Sequence, residues 1–262
     1  MFDTSTKSLT SLKIEQGVAW LTMERGQAYN ALSDELMEQM TEQLQTLAKH
    51  PQCKVVVIKG AGRGFCAGHD LKQLTQDQDA QRQHRTFERC ATLMQTLVNI
   101  PQPVIAQVHG IATAAGCQLV ASCDLAVAEK GARFATPGVN IGLFCSTPMV
   151  ALTRSLAPKH AMEMLLTGDM IDAERAHQIG LINRIVDEQE LDTCVAELAQ
   201  SIAAKSGYCV QTGKQAFYRQ LNQPLANAYE DCSQVMSCNL QHQDAVEGID
   251  AFITKRKPTW SS

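Results

Sequence analysis

Val55-Val56-Val57-Ile58-Lys59-Gly60-Ala61-Gly62-Arg63-Gly64-Phe65-Cys66-Ala67-Gly68-His69-Asp70-Leu71 runs from a short apolar segment straight into a glycine-rich turn. An apolar run of this length predicts a parallel strand buried on both faces. Gly60, Gly62, Gly64 and Gly68 then let the chain turn sharply and let a ligand approach its backbone. A dinucleotide fingerprint is the competing reading of residues 60–65. Phe65 stands where its third glycine belongs, which leaves a nicotinamide dehydrogenase as a weak alternative.

Farther along, residues 104–108 predict another strand, followed by a second small-residue turn, Ala112-Thr113-Ala114-Ala115-Gly116-Cys117, that opens a short helix. The N–H groups at a helix start are free to meet partial negative charge. Two such turns can converge on one oxygen, and both also read as tight structural connections. Upstream, residues 11–23 predict a β-hairpin around Gln16-Gly17. Ser33 caps a helix reaching about residue 50, with Asp34 and Glu35 in its first turn and Leu32 placed to staple onto Met37. A helical pattern over residues 81–99 stops at Pro101 and Pro103, and residues 125–128 predict a further buried strand. Past Pro148 the pattern is helical apart from a brief strand at 182–186, with four helices near the C-terminus.

The 262 residues suit one large α/β domain with a small appendage. A net charge of −4, from 23 basic and 27 acidic residues, disfavours a broad nucleic-acid footprint. No apolar run approaches membrane-spanning length. Met1-Phe2-Asp3-Thr4 resembles neither a secretory signal nor an Arg-rich transit peptide. The ten cysteines contain no C-x-x-C pair and sit mostly among apolar neighbours. They predict free core thiols in a reduced, cytoplasmic protein rather than a disulfide framework or a metal site.

Gly64-Phe65-Cys66-Ala67-Gly68-His69-Asp70-Leu71 resembles the crotonase signature with its A-G-x-D-[IL] core. His109-Gly110-Ile111-Ala112, Ala115-Gly116-Cys117-Gln118-Leu119 and Cys123-Asp124-Leu125 resemble the second motif of that superfamily. Tyr29-Asn30-Ala31-Leu32 resembles its early N-A-L element, and Phe252 with Lys255-Arg256-Lys257-Pro258 its basic ending. These ordered matches span the chain from about residue 11 to the end, so it resembles the crotonase (enoyl-CoA hydratase/isomerase) superfamily.

The resemblance implies an α/β fold, the crotonase (ClpP-like) spiral of ββα units forming two roughly perpendicular sheets over residues 1–200. A C-terminal helical oligomerisation region would occupy residues 201–262. It further implies a CoA thioester as substrate or ligand, no other cofactor, no metal, and self-association as a trimer or hexamer. By position it assigns an oxyanion hole to the backbone N–H groups of Ala67 and Ala115. Such donors are fixed before enolate-like charge develops, and one is worth about 10²–10³ in rate. Ala28, Tyr29, His69, Asp70 and Leu71 fall near the adenine end of CoA. Phe252 and Lys255, from a neighbouring subunit, would approach the nucleotide phosphate, although Lys255 also reads as a solvated tail charge.

The chain departs from its family where proton transfer occurs. Hydratases of the family place water between two glutamates, whose positions fall on Gln118 and Gly138. An amide has no titratable proton and glycine has no side chain. Positioned acid–base groups contribute typically about 10²–10⁴ each, so hydration is expected to be weak or absent. Phe134-Ala135-Thr136-Pro137-Gly138 resembles the naphthoate synthases, which seat a bicarbonate ion there, and a bound anion above Gly138 is the matching expectation. In that comparison Thr136 replaces a glutamine. His69 and His84 titrate in the useful range, but His84 reads as a polar helix residue, Cys145 as pocket lining and Asp124 as structural.

Loss of both glutamates resembles the enoyl-CoA hydratase domain-containing proteins. An acyl-CoA enzyme of another reaction type and a non-catalytic acyl-CoA binder both fit this pattern. RNA binding, found in one lineage with a lysine-rich early helix, fits poorly. Here that helix carries Asp34, Glu35, Glu38 and Glu42 against Lys49.

Overall fold

The structure, a computed structural model, describes residues 8–76 and 78–261, so Met1-Phe2-Asp3-Thr4 lies outside the described residues. β1 (Thr10–Glu15) and β2 (Val18–Met23) form the expected antiparallel hairpin. Its turn places Gln16 at φ 50° and Gly17 at φ 85°, the twist that suits two-residue hairpins. The later strands are β3 (Val55–Gly60), β4 (Val104–Val108), β5 (Ile111–Thr113), β6 (Leu125–Glu129), β7 (Arg133–Ala135), β8 (Ile171–Asp172) and β9 (Arg184–Val186). One sheet has the order β1-β2-β3-β4-β6-β9, parallel beyond the hairpin. A second sheet has the order β5-β7-β8.

That second sheet corrects the expectation of a plain turn at residues 110–116. Ile111–Thr113 pairs in parallel with Arg133–Ala135. Three-residue strands carry too little periodicity to be read from sequence.

The helices are α1 (Asp34–Leu47), α2 (Leu71–Leu74), α3 (Ala80–Asn99), α4 (Ala115–Ser122), α5 (Ser146–Ser155), α6 (Pro158–Thr167), α7 (Ala173–Gln178), α8 (Leu191–Ala203), α9 (Gly207–Gln220), α10 (Leu225–Leu240) and α11 (Gln243–Ile253). Successive strand residues point to opposite faces, and that period divides the core in two. Leu21, Met23, Val56, Ile58 and Ala106 join the larger cluster with α1 and α3. Val18, Val55, Val57, Ile105 and Val127 pack instead with Leu191, Val195 and Ala199 of α8. α8 thus packs on the sheet and runs across residue 200, where the sequence reading divides core from tail.

Ser33 caps α1, its Oγ accepting from the Leu36 N–H at 3.3 Å. Lys214 of α9 is buried, and its Nζ donates to the carbonyls of Leu97 (2.8 Å) and Gln102 (2.9 Å) while pairing with Asp124 at 2.8 Å. Tyr218 donates to the other Asp124 oxygen at 2.8 Å. Asp124 is therefore structural, and these bonds hold α9 against the end of α3.

Candidate active site

The two glycine-rich turns touch. Cys66 and Ala112 form a parallel bridge, with Cys66 N–H donating to Ile111 O (3.0 Å) and Thr113 N–H to Cys66 O (2.9 Å). A β-carbon added to Gly68 (φ +98°) would lie 2.8 Å from the Ala114 methyl and 3.3 Å from the Ala115 nitrogen. One added to Gly116 would lie 2.1 Å from the Cys66 carbonyl oxygen. Only glycine permits this approach.

The early element stitches onto the first turn. Asn30 is buried, and its Nδ2 donates to the carbonyls of Ala61 and Gly64 at 2.9 Å each. Leu32 N–H donates to Gly68 O (2.8 Å), and Asp70 N–H donates to Leu32 O (3.1 Å). This stitching decides which backbone donors stay free. The Ala67 N–H donates to the Tyr29 carbonyl at 2.9 Å. That bond corrects the expectation for Ala67, whose donor is already engaged. Among the described residues, the backbone N–H groups of His69 and Ala115 meet no acceptor. Sequence reasoning missed His69 in this role, because only the paired bonds on either side of it single it out.

Ala114, immediately before the second free donor, has φ 49° and ψ −117°. Such a conformation in a non-glycine residue costs about 1–3 kcal/mol and fixes the peptide that carries the Ala115 N–H.

The His69 ring stands edge-on to Phe87 at 5.3 Å. Both its ring nitrogens are buried without a hydrogen-bond partner among the described residues. Burial pushes its pKa down, against the opposing pull of Asp34 and of the Leu32 carbonyl, which stays short of hydrogen-bond geometry. Gln118 lies one turn into α4 and is buried, its Oε1 accepting from the Cys90 thiol at 3.8 Å. Burial holds that thiol protonated, its pKa pushed up to about 12.

A β-carbon on Gly138 would lie 2.0 Å from the Leu143 carbonyl oxygen and 2.8 Å from Cys145 Sγ. No side chain therefore fits at position 138 in this loop. Burial raises the Cys145 pKa, with the Gly138 backbone pulling the other way, so the thiol stays protonated and unsuited to nucleophilic attack.

The remaining expected residues divide into engaged and accessible. Asp70 caps α2 through the N–H groups of Lys72 (3.1 Å) and Gln73 (3.3 Å) and pairs with Arg25 at 2.7 Å. Its hydrogen bond from Arg25 is the main cause holding its carboxyl below the usual range. Ala28 and Leu71 are exposed, and the Arg63 guanidinium lies over the Tyr29 ring at 5.3 Å. His84 is an exposed helix residue paired with Glu88 at 3.3 Å. Phe252 and Lys255 are exposed near the end of α11. Arg256, from the same basic ending, is instead held by Glu247 and Asp250 at 2.6 Å each.

The enoyl-CoA hydratase/isomerase family matches residues 13–262. The mouse mitochondrial enoyl-CoA hydratase domain-containing protein 3 is 45% identical over 257 residues, covering 98% of this chain and 86% of that protein. An enoyl-CoA hydratase structure from Mycobacterium smegmatis superposes with a TM-score of 0.95 at 45% identity, covering 98% of this chain and 100% of that one. The human enoyl-CoA hydratase domain-containing protein 3 structure gives 0.94 at 44% identity, covering 97% and 100%.

The mouse protein and its rat and human counterparts are mitochondrial by name. These names contradict the cytoplasmic expectation. Free thiols report reducing surroundings without saying which reducing compartment supplies them. With the family matched over residues 13–262 and such relatives along nearly its whole length, the chain belongs to the enoyl-CoA hydratase/isomerase (crotonase) family.

Proposed function

We propose that the chain binds an acyl-CoA thioester with its carbonyl oxygen between the backbone N–H groups of His69 and Ala115. One observation carries this reading: those two donors are left unpaired where the turns touch, while the neighbouring Ala67 N–H is engaged. Donors fixed in a buried site strengthen as charge develops on the oxygen. The exposed Ala28 and Leu71 and the half-buried Tyr29 remain the candidates for the adenine end. Exposed Leu225, Tyr229, Met236 and Phe252 on α10 and α11 support self-association as a trimer or hexamer.

The reaction polarised there is not ordinary hydration, because Gln118 and Gly138 supply no proton-transfer group. A second reading, non-catalytic acyl-CoA binding, is favoured by the Leu143 carbonyl and Cys145 thiol that fill the space at Gly138. Crotonyl-CoA hydration, followed through loss of the enoyl-thioester absorbance, is expected near the uncatalysed rate. Calorimetry should meanwhile detect binding of the thioester. Rapid hydration that survives repurification would refute the argument from Gln118 and Gly138. Failure to bind any CoA thioester would refute the site.

A further inference from the structure

Ala115 opens α4, and Gln118 follows one turn later on the same helix face. Gln118 also lines a cavity of about 1120 Å³ that continues along α4 to Asp124. Its walls include Ala91, Met94 and Val98 of α3, Val150 of α5 and Phe217 of α9. Small-ligand pockets usually occupy about 300–1,000 Å³, so there is room for more than a short acyl group.

The charges lining this cavity are Asp124, Arg154 and Arg219. Asp124 is neutralised by Lys214 at 2.8 Å, and Arg219 is paired with Asp231 at 2.8 Å. Arg154 is different. Among the described residues it makes one hydrogen bond, to the Val150 carbonyl of its own helix at 2.9 Å, and no ion pair. The cavity thus carries one uncompensated positive charge, near the end of α5 and on the same helix face as Val150. A guanidinium presents a planar fork of donors that matches a carboxylate.

We infer that this cavity receives the acyl portion of the thioester and that Arg154 selects chains ending in a carboxylate, that is, dicarboxylic acids joined to CoA at one end. The inference rests on the thioester reading above and adds its substrate class. The apolar side chains named above take the methylenes, Gln118 links the Ala115 face of α4 to the cavity wall, and Arg154 takes the distal anion. Because Arg154 is exposed, solvent weakens the pairing, and a preference of about two- to fivefold is expected.

The test is calorimetric. Dissociation constants are measured for a series of carboxyacyl-CoA thioesters of increasing length, each against the plain acyl-CoA of equal length, with free CoA as reference. Wild type should prefer the carboxyacyl member by about two- to fivefold at one length or more. Arg154→Leu should bring that ratio close to one, while Arg219→Leu, whose cation is already paired, should keep it. Plain and carboxyacyl thioesters binding alike to wild type would overturn the inference and leave the thioester site standing. So would a preference that survives in Arg154→Leu. If neither CoA nor any thioester binds, the site reading itself falls and this inference with it.

Discussion

Gly138 and Cys145 are packed so closely that no side chain fits between them: a β-carbon on Gly138 would lie 2.8 Å from Cys145 Sγ. The Leu143 carbonyl closes the same space from another side, held there as Leu143 N–H donates to Gly138 O at 2.9 Å. Packing in this loop therefore excludes any side chain at position 138.

It follows that Gly138→Glu should not recreate a hydratase. Forcing a side chain into filled space typically costs about 1–3 kcal/mol. At about 2–4 °C per kcal/mol for a chain near this size, thermal unfolding should shift down by several degrees. Crotonyl-CoA hydration should stay near background. Recovery of hydration at unchanged melting temperature would show that the loop opens readily and that the packing argument is mistaken.

Ala114→Gly should act in the opposite direction on stability. Ala114 holds φ 49° and ψ −117°, which glycine adopts without steric cost. Relief of that strain, less the added freedom of the unfolded chain, leaves a gain of about 1 kcal/mol, read as a rise in urea midpoint. The same change frees the peptide carrying the Ala115 N–H, so thioester affinity should fall. A variant that is both less stable and tighter-binding would contradict this account.

These two positions show what the sequence makes legible. The strands at 55–58 and 104–108, the Ser33 cap and the α3 stop at Pro101 follow from burial, side-chain oxygen chemistry and proline geometry, all of which act locally. The glycine-rich turns were equally visible as close-approach points. Which donor stays free was not, because the Ala67 N–H is engaged by Tyr29, a contact between distant parts of the chain. Likewise, the close packing of Leu143 and Cys145 on Gly138 depends on the fold of the 138–145 loop, which no local pattern around Gly138 shows.

The C-terminal helices present a separate test. Leu225 (75% exposed), Tyr229 (69%), Met236 (71%) and Phe252 (84%) leave a large apolar surface on α10 and α11. Surfaces of this kind on soluble chains mark interaction sites. Light scattering should give a native mass that is a multiple of one chain. Each such side chain is worth about 1.5–3 kcal/mol when fully buried, so Met236→Glu combined with Phe252→Glu should shift the assembly towards single chains. A monomeric wild-type protein at high concentration would rule out self-association through this face.

His69 supplies the last prediction, one of pH dependence. Burial lowers its folded-state pKa below the ordinary 6.5, while the unfolded ring titrates at that ordinary value. Between the two, the unfolded state binds more protons than the folded one, so stability rises with pH. The stability associated with a neutral His69 is thus fully present above 6.5 and is lost as pH falls through the folded pKa. The carboxylates with lowered pKa values, Glu35, Asp70, Asp244 and Glu247, begin from ordinary values of 4.5, 3.8, 3.8 and 4.5, so their losses come at lower pH. Replacing the ring in His69→Gln keeps the backbone N–H but removes this proton linkage. Urea midpoints measured between neutral pH and about pH 5 should fall for wild type and fall less steeply for the variant. Parallel curves for the two proteins would mean that the buried ring titrates as freely in the folded protein as in the unfolded chain.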